Sequence, residues 1–257
     1  MILTLDIGNT NIKAALFDGE TMRGSWRIST NHAYTADEYG LTLEGLMRHD
    51  GFGLSDITGI MVSSVVPTIN FTIEHMCRSY IGVEPKFLAP GVKTGLNIKY
   101  ENPRELGSDR IANAVAASAL YGGPCIVIDF GSATNYGAIS EKGDFLGGAI
   151  SPGIKMSAEA LYTGTAKLPR IELVCPQSII ARTTVTNIQA GVIHGYVGSV
   201  EHIVRTMRRE MGCPNARVIA TGGMARIVAA ESDIIDVIDS TLTLKGIRII
   251  YERNQAL

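Results

Sequence analysis

The sequence lacks a basic excess. Lys and Arg total 23 against 25 Asp and Glu, a formal net charge of -2 over 257 residues. Without a cationic surface to hold a polyanion, nucleic acid is not an expected partner. Paired cysteines are also missing: Cys77, Cys125, Cys175 and Cys213 are widely spaced and form no C-x-x-C. That pattern implies free thiols in a reducing compartment. No apolar run approaches the ~18 to 20 residues of a membrane span, so no membrane association is expected. The start, Met1-Ile2-Leu3-Thr4-Leu5-Asp6, has no basic stretch and meets an acid early, which does not read as a signal peptide. A cytoplasmic protein is expected. The histidines His32, His49, His75, His194 and His202 show no ligand spacing and predict no zinc site. What is present is ordinary globular composition, 46% hydrophobic and 19% charged, enough to bury a core.

Short apolar runs bounded by turn residues predict strands at Ile2 to Leu5, Ile12 to Phe17, Gly59 to Ser64, Cys125 to Asp129 and Arg217 to Ala220. A capping box, Thr35-Ala36-Asp37-Glu38, predicts a helix running to about Arg48. Helices are also predicted over Asn70 to Tyr80, from Ser108 as N-cap to Tyr121, over Asn187 to Met211, and over Met224 to Ala230. Gly191, Gly195 and Gly198 interrupt the Asn187 to Met211 helix and predict close packing against another element. Gly147-Gly148-Ala149-Ile150-Ser151-Pro152-Gly153 reads as a loop.

The chain repeats itself. Leu5-Asp6-Ile7-Gly8, followed by Thr10-Asn11, recurs as Ile128-Asp129-Phe130-Gly131, followed by Thr134-Asn135. Each copy lies between two apolar strands, which predicts a duplicated domain. A turn of Gly with Ser, Thr or Asn presents backbone N–H and hydroxyl donors to phosphate oxygens. An Asp at such a strand end repels phosphate unless a cation such as Mg²⁺ lies between them. Two such turns facing one another would form a clamp for a nucleotide.

Five ordered motifs carry a family resemblance. They are Asp6-Ile7-Gly8-Asn9-Thr10, Gly107-Ser108-Asp109-Arg110, Asp129-Phe130-Gly131-Ser132-Ala133-Thr134, the Gly147 to Gly153 segment, and Gly164-Thr165-Ala166-Lys167-Leu168-Pro169. The chain resembles type III pantothenate kinases, of the acetate/sugar kinase, Hsp70 and actin superfamily. The resemblance implies an α/β fold made of two ribonuclease-H-like domains, at residues 1–115 and 116–257, with a cleft between two mixed sheets flanked by helices. It implies a homodimer that transfers the γ-phosphoryl group of ATP to the hydroxyl of pantothenate, the first step of coenzyme A synthesis. Mg²⁺ and a monovalent cation, potassium or ammonium, are the implied cofactors.

By the same resemblance, ATP would be held by Asp6, Ile7, Gly8, Asn9, Thr10, Asn11, Ile12, Lys13 and Ser132. Asp6 would help hold Mg²⁺, and Asp129 would bind the monovalent cation. Asp109 would be the catalytic base, and its place at a helix start favours negative charge there. Tyr100, Gly107, Ser108, Asp109, Arg110 and Thr184 would contact pantothenate, with Arg110 available to a carboxylate or to moving phosphate charge. Thr221-Gly222-Gly223 fits the superfamily's adenosine motif. The sequence departs from the family's D-x-G-T-A-T-T-x-D at Ser132, Asn135 and Gly137, and Gly137 removes a carboxylate. Two other readings are another small-molecule kinase or phosphatase of the superfamily, and a non-catalytic regulatory protein that keeps the fold.

Overall fold

The computed structural model describes residues 1–255. They form two compact units. In the first, β1 (Ile2–Ile7), β2 (Asn11–Asp18) and β3 (Thr21–Ser29) form an antiparallel meander. α1 (Ala36–His49) leads to β4 (Gly59–Ser64), which runs parallel to β1 on its other side. α2 (Asn70–Met76) leads to β5 (Pro85–Phe87), parallel to β4. The order is β3-β2-β1-β4-β5. β1 is central and covered on both faces, which is why it reads as an unbroken apolar run.

α1 begins with the expected capping box. The Thr35 hydroxyl accepts the Glu38 N–H at 3.3 Å, and the Glu38 carboxylate accepts the Thr35 N–H at 2.8 Å. Tyr39, Leu43 and Met47 then fall on one buried face. The helix predicted over Asn70 to Tyr80 is regular only to Met76. Its last turn widens, with the Gly82 N–H bonded to the Cys77 carbonyl at 3.0 Å and Gly82 at φ +74. α3 (Ser108–Tyr121) ends where predicted and starts one residue earlier, with Ser108 inside the helix.

The second unit repeats this plan. β6 (Cys125–Phe130), β7 (Ala133–Ile139) and β8 (Phe145–Pro152) form the meander. α4 (Ile154–Thr163) and α5 (Thr184–Glu210) precede β9 (Arg217–Thr221), which is parallel to β6. α6 (Ala225–Ala229) precedes β10 (Val237–Ile238), parallel to β9. The order β10-β9-β6-β7-β8 is that of the first sheet, strand for strand.

Three expectations need correction. The segment Gly147 to Pro152 is strand, not loop: its backbone pairs with β7, with Gly148 opposite Gly137, and only Gly153 lies outside it. It lies at the sheet edge, where Pro152 can end a strand without leaving a neighbour unbonded. Gly191, Gly195 and Gly198 do not mark close packing within the chain, because a Cβ on any of them would meet nothing within 4 Å. The chain is also not divided by one cut at residue 115/116. The first unit comprises Met1–Leu96, Glu101–Ala116 and the described residues from Thr241 on; the second is Asn97–Tyr100 and Ala117–Ser240.

The return is made by α7 (Leu242–Arg253). Leu244 packs with Ala15 and Phe17, and Ile247 and Ile250 with Met61, Ala112 and Val115. Each such buried aliphatic side chain contributes ~1.5 to 3 kcal/mol. Gly246 lets α7 approach α3 so closely that a Cβ there would overlap the Ala112 carbonyl oxygen. Beside this crossing the Thr243 hydroxyl donates to Asn113 Oδ1 at 2.8 Å, fully buried.

Candidate active site

In the first unit the site grows from the β1–β2 turn. The Gly8 N–H bonds to the Asn11 carbonyl at 3.1 Å. The Gly8 carbonyl accepts the Thr30 hydroxyl at 2.6 Å, and the Thr10 carbonyl accepts the Thr30 N–H at 3.0 Å. Residues Gly8, Asn9 and Thr10 are thus fastened to the end of β3, and Ile7 pairs with Ile12 in the strands below. Asp6 faces Lys13 across the hairpin, with Lys13 Nζ 3.3 Å from Asp6 Oδ2. Their side chains are 10% and 23% exposed, so water screens this pair less than a surface pair.

On the other side of β1, Asp6 is in register with Ser63 of β4. The Ser63 hydroxyl donates to Ser108 Oγ at 2.9 Å, and the Ser108 hydroxyl donates to the Ser64 carbonyl at 3.1 Å. Ser108 is therefore not the N-cap expected of it. It is the first helical residue, and its hydroxyl fastens α3 to the end of β4. This brings Asp109 and Arg110 to the same sheet end as the Asp6 turn. Asp109 Oδ1 accepts the Arg110 N–H at 2.8 Å, and a Cβ on Gly107 would lie 2.6 Å from that oxygen. Glycine at 107 is what leaves room for the carboxylate.

In the second unit Asp129 holds the position of Asp6. Its register partners are Asn135 on β7 and Thr221 on β9, neither of them charged. The Gly131 N–H bonds to the Ala133 carbonyl at 3.1 Å, closing the turn that carries Ser132. A Cβ on Gly153 would overlap the Ser132 carbonyl oxygen, so the end of β8 presses on this turn. Gly222, at φ +91, is equally confined: a Cβ would lie 2.7 Å from Asp129 Oδ1 and 2.5 Å from the Phe130 carbonyl oxygen. The Thr221 hydroxyl is buried without a hydrogen-bond partner. An orphaned hydroxyl costs ~1 to 3 kcal/mol unless a ligand satisfies it. Below the turn, Thr134 and the Tyr196 hydroxyl are hydrogen-bonded. Burial holds the Tyr196 phenol above its usual range, which keeps it neutral.

Gly137 is explained by packing. A Cβ there would lie 2.9 Å from the Phe145 ring, so the phenyl group occupies the space a carboxylate would need. Tyr100 packs on the same ring, with centroids 6.3 Å apart at 46°. Thr184 is the exposed first residue of α5, capped by the Thr183 hydroxyl, which accepts the Thr186 N–H at 3.2 Å. The first unit thus gathers Asp6, Lys13, Ser108, Asp109 and Arg110, and the second gathers Asp129, Ser132 and Thr221. Ser63 was missed from sequence. Its signal is its position, the hydroxyl at the end of the strand next to that of Asp6.

Among the described residues, no helix is long and apolar enough to cross a membrane. Comparisons with known proteins agree with the geometry. The chain is 52% identical over 254 residues to type III pantothenate kinases of Geobacillus thermodenitrificans and Geobacillus kaustophilus, covering 99% of this chain and 98% of each relative. A Campylobacter jejuni protein assigned to the Baf family of transcriptional activators superposes with TM-score 0.63 at 21% identity, covering 99% of this chain and 100% of the other. The activator of 2-hydroxyisocaproyl-CoA dehydratase from Clostridium difficile, solved with bound ADPNP, superposes with TM-score 0.51 at 14% identity, covering 100% and 97%. At these identities the likeness is one of fold, and it supports the duplicated ribonuclease-H-like architecture without lending a regulatory role. The family model for type III pantothenate kinase matches residues 2–206, and with the relatives at 52% identity this places the chain in the type III pantothenate kinase family.

Proposed function

We propose that the protein transfers the γ-phosphoryl group of ATP to the primary hydroxyl of pantothenate, giving 4'-phosphopantothenate and ADP. The observation that carries this reading is identity to type III pantothenate kinases along nearly the whole chain. The duplicated acidic turns give it a physical basis. In the reaction Asp109 orients the pantothenate hydroxyl and takes its proton, the hydroxyl oxygen forms the new bond to the γ-phosphorus, and the bond to the β,γ-bridging oxygen breaks. Positioning and charge stabilisation carry most of such a loose transition state.

In the first unit the backbone and side chains of Asn9, Thr10 and Asn11 with Lys13, and in the second unit Ser132, bind phosphate oxygens, while Gly8 shapes the turn through its bond to Asn11. Asp6 offers a hard carboxylate oxygen at the base of that turn and would hold Mg²⁺. Asp129 suits a potassium or ammonium ion. Its two register partners, Asn135 and Thr221 with the orphaned hydroxyl, are neutral and add oxygen donors of the kind such an ion takes. Mg²⁺ supplies charge neutralisation for the phosphates when bound. Tyr100, Gly107, Ser108, Arg110 and Thr184 contact pantothenate. The protein acts as a homodimer, and the open face of α5 at Gly191, Gly195 and Gly198 supports this.

The test is a coupled assay for phosphopantothenate with ATP, Mg²⁺ and each of potassium, ammonium and sodium. Turnover with potassium or ammonium and little with sodium is expected; no product under any cation would refute the proposal. Light scattering during size-exclusion chromatography checks the dimer.

A further inference from the structure

Outside the nucleotide-binding turns, three side chains of different chemistry converge in the second unit. Cys175 lies in the irregular run between α4 and α5, His194 lies on α5, and Glu231 follows α6. One ligand atom from each lies within 4.8 Å of the other two. We propose that Cys175, His194 and Glu231 bind one borderline divalent cation of the zinc type, and that this ion clasps the run before α5 to α5 and α6.

The donor set selects the ion. A thiolate and an imidazole favour zinc over the hard, oxygen-seeking Mg²⁺ of the kinase reaction. Tetrahedral zinc bonds of ~2.0 to 2.3 Å place ligand atoms roughly 3.3 to 3.7 Å apart. The cluster is looser than that by about 1.1 to 1.5 Å at most, and the exposed Glu231 side chain can close the difference. Three protein ligands leave the fourth position to water. Thiolate and carboxylate together balance the ion's two positive charges.

The backbone around each ligand is already fixed. Gln189 Nε2 donates to the Glu172 carbonyl at 2.9 Å, which ties the run to α5 three residues before Cys175. Leu173 and Cys175 pack on the core of the second unit. The Glu231 N–H bonds to the Val228 carbonyl at 3.0 Å at the end of α6. Without an ion, the Cys175 thiol donates to the Pro176 carbonyl at 3.8 Å, and partial burial with the nearby Glu231 carboxylate raises its pKa. Binding replaces this thiol hydrogen bond and releases the thiol proton to solvent. The clasped run leads directly to Thr183 and Thr184, so the ion would also steady the start of α5.

The test uses tag-free full-length protein stripped with a chelator and titrated with Co²⁺ and Zn²⁺ in excess Mg²⁺. One equivalent of Co²⁺ should give thiolate-to-cobalt charge-transfer absorption in the near ultraviolet and the intense visible bands of four-coordinate cobalt. Zn²⁺ should bleach both and slow proteolysis between Leu168 and Thr183. Losing a direct ligand should weaken binding beyond the roughly 10- to 100-fold typical of outer-sphere partners. Cys175→Ser should therefore abolish the charge-transfer band, and Glu231→Gln, at an exposed position, should weaken Zn²⁺ binding in a folded protein. Cys213→Ser should change neither. A cobalt spectrum without a thiolate band, or equal Zn²⁺ affinity in Cys175→Ser and wild type, would overturn the site. Binding without protection of the run would overturn the clasp.

Discussion

Replacing Gly246 by alanine should destabilise the first unit although alanine is the better helix former. In α7 the exchange gains ~1 kcal/mol of helix propensity. The added Cβ, however, would overlap the Ala112 carbonyl oxygen and lie 2.6 Å from its carbon, both backbone atoms of α3 that cannot rotate away. The helices must part by roughly 1.5 Å to reach ordinary van der Waals separation, and gaps of that size forfeit much of the dispersion energy between the facing side chains. Overpacking of this kind costs ~1 to 3 kcal/mol. Straining the buried Thr243–Asn113 hydrogen bond adds ~1 to 3 kcal/mol, so a net loss of about 1 to 5 kcal/mol is expected. Gly45→Ala is the control. Gly45 is an exposed residue inside α1 with nothing within 4 Å of its Cβ position, so the same change should stabilise by ~0.5 to 1 kcal/mol. Urea unfolding followed by tryptophan fluorescence reads the first unit alone, because Trp26 on β3 is the single tryptophan. If Gly246→Ala unfolds at the same urea concentration as wild type or higher, the close α3–α7 crossing is wrong.

Asp109→Asn should lower kcat by about 10²-fold or more while thermal unfolding stays within a degree or two of wild type, since general-base catalysis is worth roughly that much. Gly137→Asp, which restores the family's carboxylate, should not strengthen potassium dependence. It should destabilise by ~1 to 3 kcal/mol, because the Phe145 ring fills the space, as calorimetry can check. Burial pushes the Cys77 and Cys125 thiols up from 9.0 to about 12, with nearby Glu84 and Glu74 adding to the shift at Cys77. The folded protein therefore keeps two protons that the unfolded chain releases above pH 9. Stability from this source is complete below pH 9 and falls as pH rises from about 9 to 12, measurable as a decreasing urea midpoint. Below pH 9 a thiol-reactive dye should label Cys175 and Cys213 first; rapid labelling of Cys77 or Cys125 in the folded protein would contradict this burial.

Much of the frame was readable from local pattern. The Thr35–Glu38 capping box fixed the start of α1, and the Asp6 and Asp129 turns announced the duplication because each separates two apolar strands. The two sheets then match strand for strand. What was not readable depends on partners distant in sequence. β3 has few apolar residues besides Trp26 and Ile28 and is a strand because β2 supplies its hydrogen bonds. β8 looks like a loop from its glycines, yet Gly148 fits opposite Gly137. α7 mixes Lys245 and Arg248 among its apolar residues, and its buried face appears only once α3 is beside it. At the site, the acids and their turns were legible. The Ser63–Ser108 bond, the orphaned Thr221 hydroxyl and the Phe145 ring against Gly137 were not, since each joins residues by strand register or side-chain packing. His194 gained its neighbours in the same way, through Cys175 and Glu231 from separate segments.

The course of the chain has a consequence for how it is made. A ribosome delivers β1 to β5 early, but the hydrophobic cover that α7 gives Met61, Ala15 and Phe17 is synthesised only after the whole second unit. The nascent amino-terminal half therefore waits with an apolar face bare while the later-made half can already close. A chain released ahead of Leu242 should keep a sound second sheet joined to a sticky first one, a natural client for chaperones.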